Sequence, residues 1–401
     1  MKKNFTKIVL YIARFCMSII YFFIKLFTRQ KNKITMLSRQ SDNINIDFSL
    51  LREELESLAK NECDFKEKEK TINTSSGNNN SDNNRNLEIK ILCRRIPKGL
   101  CGKIKYCFYI IKCMYHISTS KICIIDGYNI AISALKHKKN LEIIQIWHAA
   151  GAIKKFGYQV LDKKEGRSST VAKIMRMHAN YTCVTCTSEE TRKIYSEAFN
   201  TDIEKVKVLG MPRIDYILGK NNEINKNIEE IYKEYPKLKE KKTILYVPTF
   251  RKDKEIDINR IINAVNAKKY NLIIRLHPLD KTKIEEEYIV DKKYSTSDLI
   301  KLADYVITDY SAIAFETATL NKPLFFYVYD IKKYADNRGL NINLMKEMNS
   351  STKENIEDII EIIENNTYDY KSLEQFKNKY VQTADTNNTE RIVKYIMTAL
   401  A

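Results

Sequence analysis

From Ile34 onward, short apolar runs of strand length alternate with stretches in which apolar residues recur at helical spacing. Ile34–Leu37, Leu87–Leu92, Lys121–Ile125, Ile143–Trp147, Tyr181–Cys186 and Lys205–Leu209 read as strands. Between them, Phe48, Leu51, Leu55 and Leu58 share one face of a helix that Asp47 would cap; Lys103–His116 and a Ser188-capped segment through Phe199 are also helical. A charged helical connection, Asn221–Lys241, leads to a second series: strand Thr243–Val247, helix Asp257–Ala267, strands Asn271–Leu276 and Tyr305–Thr308, helix Ala312–Leu320 and strand Pro323–Tyr327. Glu354–Glu364 and Glu390–Leu400 read as closing helices. Strand–helix alternation of this kind predicts the α/β class with parallel sheets. At 401 residues the chain is too long for one ordinary core. Two Rossmann-like domains facing a cleft are expected, residues 34–225 and 226–401. The polar stretch 66–86, rich in Asn and Ser, is expected to be a flexible insertion in the first.

The N-terminal segment follows a different pattern. Ile8–Phe27 is an apolar run of roughly bilayer-spanning length, interrupted by Arg14 and Lys25. Lys2, Lys3, Lys7, Arg29, Lys31, Lys33 and Arg39 flank it, and no acidic residue precedes Asp42. Residues 1–33 are therefore expected to form an amphipathic, membrane-associated helix held peripherally on the cytoplasmic face by anionic lipid. A membrane span and an ordinary buried helix are the alternatives.

Net charge is +18, which calls for an acidic partner. No zinc-finger spacing, RNA-binding signature or homeodomain-like helix is present, so no nucleic-acid partner is expected. Nine cysteines, an odd and scattered set, fit a reducing compartment. Cys183 and Cys186 lack the second pair that a zinc site needs and read as packing residues, so no metal site is expected.

Unusual polar residues fall at the carboxyl ends of predicted strands, where open parallel sheets bind ligands. Arg251 follows Thr243–Val247, and His277, held by Pro278, follows Asn271–Leu276. Asp309, Tyr310 and Ser311 follow Tyr305–Thr308 where a helix begins, a place whose free N–H groups favour phosphate. Asp309 or Ser311 acting only as a helix cap is the plainer reading. Glu316, one turn on, is placed to reach ribose hydroxyls. Arg251, Arg275 and Arg338 are candidate bidentate clamps, with Arg275 read as structural because it lies within a strand. In the first domain Trp147, the single tryptophan, and His148 end a strand and are followed by Ala149-Ala150-Gly151 and then Lys154 and Lys155. Small residues there permit close approach of a ligand or backbone, and His148 is the natural base for a hydroxyl. A core histidine beside a core tryptophan is the bland alternative. His116, His137 and His178 offer no comparable case.

Together these pieces resemble the CDP-glycerol glycerophosphotransferase family, which includes the teichoic acid glycerol- and ribitol-phosphate transferases. The resemblance rests on Trp147-His148-Ala149-Ala150-Gly151 with Lys154-Lys155-Phe156-Gly157, on Pro248-Thr249-Phe250-Arg251, and on Arg275-Leu276-His277-Pro278. Asp298-Leu299, Thr308-Asp309-Tyr310-Ser311, Phe315-Glu316, Asn321-Lys322-Pro323, Tyr329-Asp330 and Arg338-Gly339 extend it; Ser38-Arg39-Gln40-Ser41 does so more loosely. The resemblance implies a GT-B-like fold, with a CDP-polyol donor in the C-terminal domain and a lipid-linked anionic polymer as acceptor near the N-terminal one. His148 and His277 then take catalytic roles. Arg251, Asp309, Ser311, Glu316 and Arg338 contact the donor, and Trp147, Lys154 and Lys155 lie on the acceptor side. No tightly bound cofactor is implied, and Mg²⁺ accompanying the diphosphate is left open. Ala149-Ala150-Gly151 departs from the Gly-Thr-Pro of some members, and Leu340-Asn341-Ile342-Asn343 from the aromatic, acidic stretch of glycerol-phosphate polymerases, so the polyol stays undecided. A GT-B glycosyltransferase using a nucleotide-sugar, and an inactive membrane-bound polyanion-binding protein, are the rival readings.

Overall fold

Two all-parallel sheets organise the chain, of which the computed structural model describes residues 2–72, 87–251 and 256–400. The first contains β1 (Lys33–Ser38), β2 (Glu88–Cys93), β3 (Ile122–Ile125), β4 (Glu142–Gln145), β5 (Cys183–Cys186) and β6 (Val206–Val208), in the order β2-β1-β3-β4-β5-β6. The second contains β7 (Lys242–Tyr246), β8 (Tyr270–Ile274), β9 (Tyr305–Thr308), β10 (Leu324–Tyr327) and β11 (Thr352–Lys353), in the order β11-β10-β9-β7-β8. Helices cover both faces of such sheets, which is why these strands are continuous apolar runs rather than alternating ones. All four residues of β3 are fully buried. Cys183 packs among Ile34, Phe48 and Ile144 on one face, and Cys186 among Tyr195 and Phe199 on the other. Residues three apart in a strand point to opposite faces, so this pair serves packing.

Three helices depart from the expected pattern. Asn45, not Asp47, caps α2 (Ile46–Ile72): its side-chain oxygen accepts the Phe48 N–H at 2.9 Å. That helix runs on into the stretch expected to be a flexible insertion, and residues 73–86 lie outside the described ones. The charged connection forms a helix, Glu223–Glu234, that buries Ile224 and Ile231 rather than standing free. The last helix, Asn388–Leu400, leaves the second domain and packs Ile392, Val393 and Ile396 against Ile34, Phe48 and Leu51 of the first. Asp215 fixes its start. This fully buried carboxylate accepts the main-chain N–H groups of Asn388 (3.0 Å) and Thr389 (2.7 Å) and both of their side chains. An anion at a helix N-terminus also complements the helix dipole.

The N-terminal helix α1 (Lys2–Leu26) docks on the first domain against α3 (Leu100–Thr119). Its polar interruptions make that contact. Arg14 donates to the carbonyls of Ala134 (3.2 Å) and Ile174 (2.9 Å), and Lys25 to that of Lys136 (2.7 Å). Tyr21, buried, donates its hydroxyl to Nδ1 of His137 at 2.9 Å, whose Nε2 is committed to the Ile132 carbonyl. The opposite face, with Ile8, Ile12, Phe15, Phe22 and Phe23, is exposed, as are Leu100, Ile104 and Phe108 of α3.

A buried ion triad joins the domains. Arg213, on the helix Pro212–Leu218, holds Asp47 of α2 through Nη2 (2.5 Å) and Nε, and reaches Glu316 of the second domain through Nη1 (3.3 Å). Asp47 also accepts the Arg213 main-chain N–H at 2.9 Å. Removing the shared cation strands two buried carboxylates, so Arg213→Met should lower unfolding free energy by about 3–5 kcal/mol. In urea titrations the Asp47→Asn, Arg213→Met double variant should lose less than the sum of the two single losses.

Candidate active site

Loops at the carboxyl ends of β4, β7, β8 and β9 converge on adjoining cavities. The first, about 510 Å³, is lined by Lys154, Thr249, Phe250, His277, Ser311 and Arg338, among others. The second, about 280 Å³, adds Trp147, His148, Arg213 and Glu316 and shares Lys154, Ser311 and Arg338 with the first. A slightly larger hollow, about 530 Å³, lies beside β8 around Tyr235, Tyr270 and Tyr288, and none of the residues singled out from the sequence lines it.

Two chain segments far apart in sequence are stitched at this place. The Lys155 N–H donates to Gly339 O at 3.0 Å and the Asn341 N–H to Ile153 O at 2.7 Å. Arg338 Nε donates to Lys155 O, and its Nη1 pairs with Glu165 at 3.1 Å. Gly339 has φ +92°, and a Cβ there would meet the Lys155 side chain at 3.0 Å, so the backbone turn requires glycine. The stitching puts Lys154 and Arg338 on the wall shared by both cavities. Lys154 thus lines both cavities, whereas Lys155 lines neither and contributes main chain.

Trp147 adopts φ 56°, a left-handed turn just past β4, and stacks on Phe156 with ring centres 5.0 Å apart. The turn carries His148 to the Asp126 carbonyl, 2.8 Å from Nδ1. A carbonyl only accepts, so Nδ1 carries the proton and Nε2 is the basic nitrogen. Burial lowers the His148 pKa to about 4, so the ring is neutral at neutral pH. The small residues behind it permit the domain contact, since a Cβ on Gly151 would sit 2.7 Å from the Phe315 ring, and Ala149 and Gly151 also line the second cavity. Thr187 and Tyr195 donate their hydroxyls to the carbonyls of Ala150 and Ala149.

His277 is exposed beside Phe250, and its Nδ1 accepts the Leu279 N–H at 3.2 Å, leaving Nε2–H as a donor. Burial, then the nearby Lys154 charge, lowers its pKa. Lys154 itself is lowered to about 8 by burial and by Arg338. The Thr249 hydroxyl is buried without a partner among the described residues and lines the first cavity. Ser311 lines both cavities and makes no cap bond to the short helix Ile313–Thr319. Lys154, Arg275, Lys292 and Arg338 face the first cavity, and no Asp or Glu among the described residues lines it.

Three residues expected at the donor are engaged elsewhere. Arg251 forks onto Asp330 (2.9 and 3.1 Å), pairs with Asp309 (2.8 Å) and lies over the Tyr334 ring. Asp309 also accepts the N–H groups of Thr249 and Tyr310. Neither lines the first or the second cavity; they brace the loop that presents Thr249. Glu316 borders the second cavity but is buried, bound by Arg213 and by the Ser297 hydroxyl at 3.0 Å, instead of being a solvated position free for ribose. Arg275 lies just past β8 and donates to the carbonyls of Asp291 and Tyr294, a structural role. Thr249 and Asp126 were missed: the unpartnered hydroxyl of one and the carbonyl contact of the other with His148 arise from tertiary structure, and only the motif around Thr249 marked its neighbourhood.

Two parallel α/β domains with a cationic cavity at their strand ends define a nucleotide-dependent transferase of GT-B-like build. The chain belongs to the CDP-glycerol:poly(glycerophosphate) glycerophosphotransferase family, whose model matches residues 20–398. It is 30% identical over 328 residues to a teichoic acid ribitol-phosphate primase of Bacillus spizizenii, covering 78% of this chain and 84% of that one. A teichoic acid glycerol-phosphate primase of Bacillus subtilis is 29% identical, covering 72% and 76%. A poly(ribitol-phosphate) polymerase of Bacillus spizizenii is 33% identical, but only 47% of its length is matched, against 71% of this chain. The solved wall teichoic acid polymerase TagF superposes with a TM-score of 0.69 at 17% identity, covering 100% of this chain and 98% of that one. The enzyme class expected from the motifs, a CDP-polyol phosphotransferase, agrees with these relatives.

Lys154 is charged below about pH 8 and neutral above it. Affinity for CDP, measured by calorimetry, should therefore fall about tenfold as pH rises through that value. Lys154→Arg, which stays charged, should flatten the profile.

Proposed function

We propose that this protein transfers a glycerol- or ribitol-phosphate unit from a CDP-polyol to a hydroxyl of a teichoic-acid-like or capsular polymer, releasing CMP. The observation that carries this reading is the cationic first cavity, which meets the neutral His148 across a wall shared with the second. The acceptor hydroxyl gives its proton to Nε2 of His148 and attacks the polyol-side phosphorus. The bond from that phosphorus to the bridging oxygen breaks, and the electron pair leaves with CMP. Lys154, the Nε2–H of His277 and the hydroxyls of Thr249 and Ser311 hold the charge that develops. Lys154, Arg275, Lys292 and Arg338 supply positive charge around the diphosphate. The two domains face the cleft from opposite sides, the donor held mainly by the second and the acceptor brought to His148 on the first.

The exposed apolar face of α1, continued by Leu100, Ile104 and Phe108 of α3, fits a membrane surface, where a lipid-linked acceptor would be presented. Neither α1 nor α3 has an acidic residue in its first turn. Lys103, Lys105 and Lys112 of α3 complement anionic lipid. The bonds of Arg14, Tyr21 and Lys25 to the domain body support a helix lying along the bilayer surface over one crossing it.

With CDP-glycerol, CDP-ribitol and UDP-N-acetylglucosamine offered in parallel, a CDP-polyol should yield CMP and a phosphodiester-linked product. UDP release with a glycosidic product would establish the glycosyltransferase reading instead. His148→Ala and His277→Ala should each reduce kcat by about 10²–10⁴-fold while retaining the far-ultraviolet spectrum. The Phe15→Glu, Phe22→Glu double variant should stop co-sedimenting with phosphatidylglycerol vesicles while leaving turnover of a soluble acceptor unchanged.

A further inference from the structure

On the far side of the Trp147-His148 turn lies a third cavity, about 310 Å³, that the chemistry above does not use. Arg39, Tyr128, Trp147, His148, Arg167, His178 and Arg338 border it, with Glu165 as the one carboxylate among the described residues. Arg39 and Arg167 both lie over the ring of Tyr128, at 5.3 and 5.2 Å from its centre. Glu165 is bound by Arg338, and neither Arg39 nor Arg167 has an ion-pair partner among the described residues. Two guanidinium groups held on one aromatic ring without a counter-charge repel each other; burial first, and then the charge of Arg167, lower the pKa of Arg39. Nearby His178 is buried and, lowered to about 3 by burial and by the same two arginines, stays neutral.

We propose that this cavity is a phosphate subsite for the acceptor, in which Arg39 and Arg167 clamp the phosphate of the polyol-phosphate unit next to the attacking hydroxyl. The inference rests on the reading that the acceptor hydroxyl meets His148, and it adds which chemical group positions that hydroxyl. Three observations support it. Guanidinium forks match phosphate oxygens in geometry and remain charged at any working pH. The volume suits one polyol-phosphate unit and not a nucleotide diphosphate. The cavity borders the same His148 and Arg338 as the donor side, so a phosphate here sets its neighbouring hydroxyl beside the base. The subsite would select acceptors that end in a phosphorylated polyol over neutral glycans.

Trp147, the sole tryptophan, lines this cavity and reports on it directly. With CDP present at saturation to fill the donor side, titrating glycerol 3-phosphate should change the Trp147 emission saturably. Arg39→Gln and Arg167→Gln should each raise the apparent Kd about tenfold or more, while CDP affinity stays as in the unaltered protein. Arg167 is exposed, so its variant keeps the test valid if Arg39→Gln impairs folding. In turnover, the same variants should raise KM for a phosphate-bearing acceptor and leave KM for the donor unchanged. Absence of saturable binding, or binding weakened by His277→Ala and not by Arg167→Gln, would overturn the subsite. Because the fluorescence titration needs no turnover, failure of every CDP-polyol as donor would sink the transfer reaction without deciding this binding test.

Discussion

One arginine sets the relation of the two domains. Arg213 sits where the chain leaves the first sheet, and its guanidinium is shared between Asp47 behind it and Glu316 across the boundary. Buried carboxylates are costly unless paired, so each constrains the other: Asp47 draws α2 against the helix Pro212–Leu218, and Glu316 seats the helix after β9. Arg213 and Glu316 border the cavity that contains His148. The triad thus ties the two domains together at the edge of that cavity.

Around that frame, charge is distributed unevenly. Where an arginine is structural, its carboxylates lie beside it, as Asp309 and Asp330 do for Arg251. Where the cavities open, the basic groups largely lack such partners, and Lys154, Lys292, Arg39 and Arg167 form no ion pair among the described residues. A cation held without a counter-ion in a partly desolvated place is an anion site by its energetics. This contrast separates the arginines paired within the fold from those left with unmatched charge at a cavity, which their motifs alone did not do.

The architecture was legible because parallel strands buried on both faces leave long apolar runs, and these located every strand but β11, a two-residue edge. Helix ends were harder to read. Asp47 looked like a cap because its partner, Arg213, is 166 positions away. His148, His277 and Ser311, singled out at strand ends, do line the cavities, because in a parallel sheet the loops after the strands meet at one edge. For Arg251, Asp309 and Glu316 the sequence shows a charge but not the opposite charge that each is paired with in the fold. Lys154 and Arg338 were recognised separately, and only the pairing of Lys155 with Gly339 showed that they share a wall.

The return of the last helix to the first domain has a mechanical result. The chain passes between the domains twice, near Pro212–Leu218 and again just before Asn388, and Asp215 binds the second passage to the first. Both crossings thus run through one knot and not through two separated straps. Any opening of the domains pivots about that knot, with the Lys155–Gly339 seam as the latch on the far side.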